Sequence, residues 1–174
     1  MSGSLVLISS SEVSSGVSYV DLTGMSDTYS NYIVQAVGVE IDTDIQQVLA
    51  RFIDSSTGAP LSSSYYDLVQ VRFRSENTIQ TTNGQNLDKF GQYDSTGTGA
   101  GEGLSRTLFI YNARQAQHTM CNYQEVMYDF QPYAKGTRGG VIFRQTTIVS
   151  GIRFYASSGN IDKGSFRLYG LKES

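Results

Sequence analysis

The chain has 174 residues, a formal net charge of −3 and only 17% charged side chains, against roughly 25% in ordinary soluble domains. One domain of this length can bury a core unaided, and the weakly acidic balance gives no electrostatic case for nucleic acid or an anionic membrane. The single cysteine, Cys121, excludes an internal disulfide and a thiolate zinc site.

The missing charge is replaced by Ser, Thr, Gly, Asn and Gln, with twelve Tyr and no Trp. That mixture favours strands and turns over exposed helices. No basic stretch precedes the short apolar run Leu5–Ile8, so no secretory signal is expected. No run approaches the ~20 apolar residues that span a bilayer as a helix.

Alternation of apolar and polar residues then predicts the elements. Ser4–Ser9 and Val17–Thr23 are short strands separated by Ser14-Ser15-Gly16. Tyr32–Ile41 is longer, with Ile33, Val37, Val39 and Ile41 expected on one side. Gln46–Asp54 follows, then a turn-rich stretch holding Gly58 and Pro60. In Leu68–Arg74, Val69, Val71 and Phe73 alternate with Gln70, Arg72 and Arg74, which predicts an apolar face turned to the core. Asn83-Gly84 suits a type I′ turn joining Thr78–Thr82 to Gln85–Phe90. Residues 94–103 read as a flexible Gly-rich loop. Leu104–Tyr111, Asn122–Phe130, Val141–Thr147 and Ile148–Ala156 resume strand character, and Gly159-Asn160 turns into a last strand, "GSFRLYGLK" (Gly164–Lys172). There Phe166 and Leu168 should point inward, and Gly170 is read as a bulge that swings Leu171 inward too. A short helix over Asn112–Tyr128 is the one competing assignment, and it lacks a sustained apolar stripe. Many short strands without helical spacers predict an all-β fold: residues 1–174 as a single antiparallel β-sandwich, jelly-roll-like.

Few residues suggest chemistry. His118 is the only histidine, and a hydrolase triad would need a nucleophile and a carboxylate beside it. Cys121 lies three residues away, on the opposite face if the segment is a strand. Glu40, Asp42 and Asp44 alternate in "EIDTD", and hard oxygens so placed can hold calcium; the loop glycine and closing glutamate of an EF-hand are missing. Gly97, Gly99, Gly101 and Gly103 repeat with period two, unlike the G-x-G-x-x-G of a dinucleotide site. No catalytic, cofactor-binding or metal residue is therefore assigned. The tyrosines serve half-buried sheets, subunit interfaces or sugar stacking equally well.

Two segments taken together are familiar. "SYVDLTG" (Ser18–Gly24) leads into "SDTYSNYIV" (Ser26–Val34), and "SGIRFYASSGNIDKGSFRLYGL" (Ser150–Leu171) closes the chain. The early Tyr-x-x-Tyr, here Tyr29 and Tyr32, and the terminal Leu168-Tyr169-Gly170, with Gly159 and Gly164 upstream, resemble a group of small bacteriophage virion structural proteins. The resemblance implies a jelly-roll-like sandwich whose first and last strands are neighbours, with no enzyme active site. It also implies a role as a capsid decoration or vertex protein, or a neck or tail accessory. Such a protein would assemble in the host cytoplasm, reside in the virion, bind other virion proteins and form a homo-oligomer, with a trimer or ring natural to phage assemblies. An alternative is the receptor- or glycan-binding head of a tail fibre, which would recognise a host-surface glycan. Three residues precede the first strand candidate and no coiled-coil heptads occur, which favours the accessory role over a complete fibre. A third reading, a polysaccharide hydrolase, would need a pair of carboxylates set across a sugar.

Overall fold

The computed structural model describes residues 4–91, 95–131 and 133–172. Asp94, the first residue of the Gly-rich stretch, lies outside them. The described chain forms strands β1 (Ser4–Val13), β2 (Val20–Thr23), β3 (Asn31–Ile41), β4 (Val48–Asp54), β5 (Tyr66–Arg74), β6 (Thr78–Leu87), β7 (Gly103–Tyr111), β8 (Thr119–Tyr128), β9 (Ala134–Phe143), β10 (Val149–Ala156) and β11 (Ile161–Lys172). They pair antiparallel in an eight-stranded sheet, ordered β1-β11-β3-β7-β8-β9-β5-β6, and a three-stranded sheet, ordered β2-β10-β4. The two pack as a β-sandwich, the fold class the alternation predicted. Among the described residues no helix is long and apolar enough to cross a membrane.

The core lies between the sheets. Val34, Leu108, Ile110, Phe166 and Leu168 of the large sheet face Leu22, Phe52, Ile152 and Phe154 of the small one, all fully buried. An aromatic cluster anchors one end: Phe52 sits 5.2 Å from Phe90, and Tyr66 sits 4.8 Å from Phe143, centroid to centroid. Tyr66 adds a polar tie, since its hydroxyl donates to Leu61 O and accepts from Phe52 N–H, each at 3.0 Å. Burial raises the Tyr66 phenol well above its ordinary value, so it stays neutral and keeps both bonds.

The large sheet's first and last strands are neighbours, and the two sequence motifs meet there. Tyr32 pairs with Gly170 across β3 and β11. The Tyr32 hydroxyl, inside the core, holds the preceding turn through Ser26 O at 2.5 Å and Ser26 N at 3.0 Å. The Tyr29 ring covers Gly170: a Cβ built there would lie 2.4 Å from Tyr29 Cγ. Gly170 is thus an ordinary strand residue beneath a ring and not a bulge, so Leu171 stays on the outer face, partly exposed. Phe166 and Leu168 do point inward.

Three further expectations are corrected. In β3 a bulge between Ala36 and Val39, with Gly38 at φ +60°, reverses the alternation. Val39 and Ile41 are therefore buried while Ile33 and Val37 face out. In β5 the polarity is opposite to the one predicted. Gln70 is buried, Val69 and Phe73 are exposed, and Val71 shares their face. Asn83-Gly84 is no turn, because β6 runs straight through it opposite Val69 and Leu68. The reversal occurs at Ser75–Asn77, where Asn77 adopts φ +65°. Residues 112–118 are turns and bends, and Thr119–Tyr128 is strand with strict in–out alternation, so the helix does not form.

Candidate interaction face

The structure disperses the residues that looked chemical. His118 is exposed in the turn before β8, whereas Cys121 points into the core. Burial pushes the Cys121 thiol up to about 12, the behaviour of a packing residue and not a nucleophile. The "EIDTD" carboxylates do not converge. Glu40 pairs with Lys163 Nζ at 2.8 Å. Asp42 accepts from Asn160 N–H and Asn160 Nδ2, both at 2.8 Å, and from Thr43 Oγ1 at 2.9 Å. These hydrogen bonds hold the Asp42 carboxyl below its ordinary value. Asp44 accepts from Ile45 N–H at 3.0 Å. Among the described residues no cluster of His, Cys, Asp and Glu is arranged to hold a metal ion.

The described part of the Gly-rich segment is anchored to its neighbours. Thr96 is buried and exchanges backbone hydrogen bonds with Gln46, at 3.2 and 2.8 Å. Gly97 and Gly99 leave room for the Glu102 carboxylate, which accepts from Gly99 N–H at 3.0 Å. Their glycines serve a turn folded on an acid, with no phosphate cradle.

Buried ion pairs are the feature that sequence reading missed. Glu125 on β8 accepts from Arg106 Nε on β7 at 2.6 Å, and Arg106 also donates to Val48 O at 3.1 Å. Gly91 makes room for that guanidinium, since a Cβ there would lie 2.6 Å from it. Asp129, fully buried in the β8–β9 turn, pairs with Lys135 Nζ at 2.5 Å and accepts from Gln131 and Tyr133 N–H at 3.0 Å. Burial raises the Asp129 carboxyl, but Lys135 and the two N–H donors outweigh it and hold the group below its ordinary value. Each acid is neutralised by a cation buried beside it, so these pairs fix strand register and leave no free acid–base couple.

The outer faces of the two sheets differ sharply. On the small sheet, Asp21, Arg153 and Arg51 stand in one lateral row. Arg153 forks onto Asp21 at 2.7 and 2.6 Å and stacks on the Tyr19 ring at 3.7 Å. Arg51 covers Tyr155 at 5.2 Å and pairs with Asp88. This face is saturated with its own charges, and one side of its exposed tyrosine is already taken by a guanidinium.

The large sheet instead presents uncovered hydrophobic side chains. The register sets Val126, Gly136, Phe73 and Ile79 side by side across β8, β9, β5 and β6. A second row runs Leu7, Tyr169, Ile33, Phe109, Asn122, Gly140, Val69 across most of the sheet. Val69 is 62% exposed, Val126 59%, Phe73 47% and Ile79 69%. Completing their burial would contribute about 1 kcal/mol each, since a fully buried side chain of this kind is worth roughly 1.5–3 kcal/mol.

Where these rows cross β9, two glycines leave the sheet surface bare. Nothing lies within 4 Å of a Cβ placed on Gly136, and only Val69 and Asn122 approach one on Gly140, at 3.8 and 3.9 Å. Gly139, on the inner face, has a packing reason, because the Tyr123 ring fills its place at 2.5 Å. Gly136 and Gly140 have none, and a glycine inside a strand weakens it and often marks a site where a ligand or another backbone approaches closely. Gly140, with neighbouring Gly139, lines an open recess of about 740 Å³ that Val69, Val71, Asn83, Asn122 and Arg138 complete.

No protein-family model matches the chain, and no curated protein matches it. Among solved structures it is similar to a fructofuranosidase from Schwanniomyces occidentalis complexed with fructosylnystose, at 5% identity and a TM-score of 0.27. That match covers 98% of this chain but 34% of the other, so the chain spans about a third of that protein's length.

Proposed function

We propose that this chain is a non-enzymatic structural protein of a bacteriophage particle, a capsid decoration or vertex component or a neck or tail accessory. In this role the outer face of its eight-stranded sheet docks on another virion protein. The observation that carries the docking is the uncovered apolar rows, which cross β9 at its bare glycines. Large exposed apolar patches mark interaction sites. This one has the composition of an interface core: aromatic and aliphatic side chains around one arginine. The particle assignment rests on the Tyr29/Tyr32 and Leu168–Gly170 motifs, whose residues meet in one packing unit. The saturated Tyr19–Arg153 surface argues against a sugar platform on the small sheet.

The test is incorporation. Val69→Lys and Val126→Lys alter exposed positions and should leave thermal unfolding unchanged, yet reduce the protein recovered in purified phage particles. Undiminished recovery with both lysines present would refute docking through this face. Specific binding to members of a host-surface glycan array would point to the fibre-head role instead.

A further inference from the structure

The eight-stranded sheet ends in two edge strands, β1 and β6, and they are guarded unequally. Edge strands expose unpaired backbone N–H and C=O groups, and proteins blunt them with bulges, charges or proline. β1 is guarded: it bulges between Leu7 and Ser9, and Glu12 pairs with Arg167 at 3.0 Å and accepts from Ser165 Oγ at 2.6 Å. β6 bulges only near its end, where Gly84 and Leu87 pair with Leu68 and Tyr66 and Asn86 adopts φ +56°; from Thr78 to Gly84 it carries none of these devices. Its sequence, TIQTTNGQNL, has no ionisable residue and no proline. Its pairing with β5 runs from Thr78 to Gly84 without a register shift. Neither face of the strand is covered along most of its length, so its order rests on a ladder along one side.

We propose that the β6 edge is a self-association site, where β6 of a second copy of this chain adds antiparallel about a two-fold axis through Thr81. Thr81 is the centre of the unshifted stretch. The axis sets Thr81 opposite its copy, Gln80 opposite Thr82, Ile79 opposite Asn83 and Thr78 opposite Gly84. An uncharged strand meets its own copy without like charges in opposition, and facing threonines are favourable cross-strand pairs. β1 of another copy is a poorer occupant, because it would bring its bulge and Glu12 into the ladder. The two-fold runs perpendicular to the sheet, so both outer faces stay on the same side. The β9 recess, whose wall includes Thr81 and Asn83, then reaches the seam in each copy. This inference does not depend on the virion assignment, which concerns a different surface and a different partner.

The experiment is cross-linking at the axis. In the full chain, Thr81→Cys should give a disulfide-linked dimer under mild oxidation, because opposed strand residues lie within disulfide reach. Ser10→Cys on the β1 edge should not, and buried Cys121 stays out of reach. Thr81→Lys sets two ammonium groups face to face and should weaken the dimer roughly tenfold or more in sedimentation equilibrium, with thermal unfolding of the monomer unchanged. A chain that stays monomeric at high concentration overturns the proposal. So does a Thr81→Cys variant that dimerises without cross-linking, since the dimer must then use another surface. Either result leaves docking on the particle standing if incorporation still depends on Val69 and Val126.

Discussion

Gly170→Ala isolates the contact that joins the two ends of the chain. Gly170 lies in β11 without a positive φ, so its backbone accepts alanine. By itself the change would stabilise by about 0.4–1 kcal/mol, because the unfolded chain loses freedom. Packing opposes it: the new Cβ would lie 2.4–2.6 Å from three carbons of the Tyr29 ring. Ordinary carbon contacts begin near 3.5 Å, so the ring must move by about 1 Å. It is pinned by Tyr29 N–H to Ser26 O at 3.3 Å, by the Tyr32 hydroxyl on Tyr29 O at 3.2 Å, and by edge-on packing against the Tyr32 ring. Overpacking of this kind costs about 1–3 kcal/mol, so the expected net loss is about 1–2 kcal/mol. For a domain of this size that is roughly 2–8 °C in Tm. Urea unfolding of wild type, Gly170→Ala, Tyr29→Ala and the double variant measures it, and in the Tyr29→Ala background the alanine should cost nothing or stabilise. A Gly170→Ala protein as stable as wild type would refute the reasoning, and so would a penalty that persists without the Tyr29 ring.

Other expectations concern buried polar groups. Glu125→Ala leaves Arg106 charged in the interior without its carboxylate, and should cost about 3–5 kcal/mol in urea unfolding; a loss under 1 kcal/mol would mean that water replaces the carboxylate. The Asp129 carboxyl has a lowered pKa in the fold, so its stabilisation is complete above the ordinary carboxyl value of about 4 and is lost as pH falls through the folded value. Stability should therefore drop on acidification below about pH 4, and Asp129→Asn should flatten that slope; an unchanged slope would assign the acid sensitivity elsewhere. Cys121 should react with a thiol reagent only at the rate of unfolding, given its burial and raised thiol value. Fast labelling of folded protein would contradict its inward placement.

The fold class was legible because alternation is a backbone property, and most strands keep it from end to end. β8 is the clearest case, with Thr119, Cys121, Tyr123, Glu125 and Met127 all inward. The candidate interaction face was hidden for a physical reason. In β5 the more hydrophobic set, Val69, Val71 and Phe73, faces outward, and the core side includes polar groups such as Gln70, whose side-chain oxygen accepts from the Tyr123 hydroxyl. A rule that sends apolar residues inward reads such a strand backwards. The cue available in the sequence was the cluster Gly136, Gly139 and Gly140 in a strand, since glycines inside a strand often mark a site of close approach. In β3 the misplacement of Val37 came from one residue, Gly38, whose bulge no period-2 count detects.

The central claim is that the large sheet's outer face, and not the small sheet's charged face, meets a neighbour in the particle. Electron cryomicroscopy of the parent bacteriophage particle at side-chain resolution tests it directly. The prediction is that Val69, Phe73 and Val126 lie against another virion protein, with the recess at Gly140 filled and Asp21, Arg153 and Arg51 turned to solvent. A particle in which those three hydrophobic residues face solvent, or in which this chain has no place, would contradict the account.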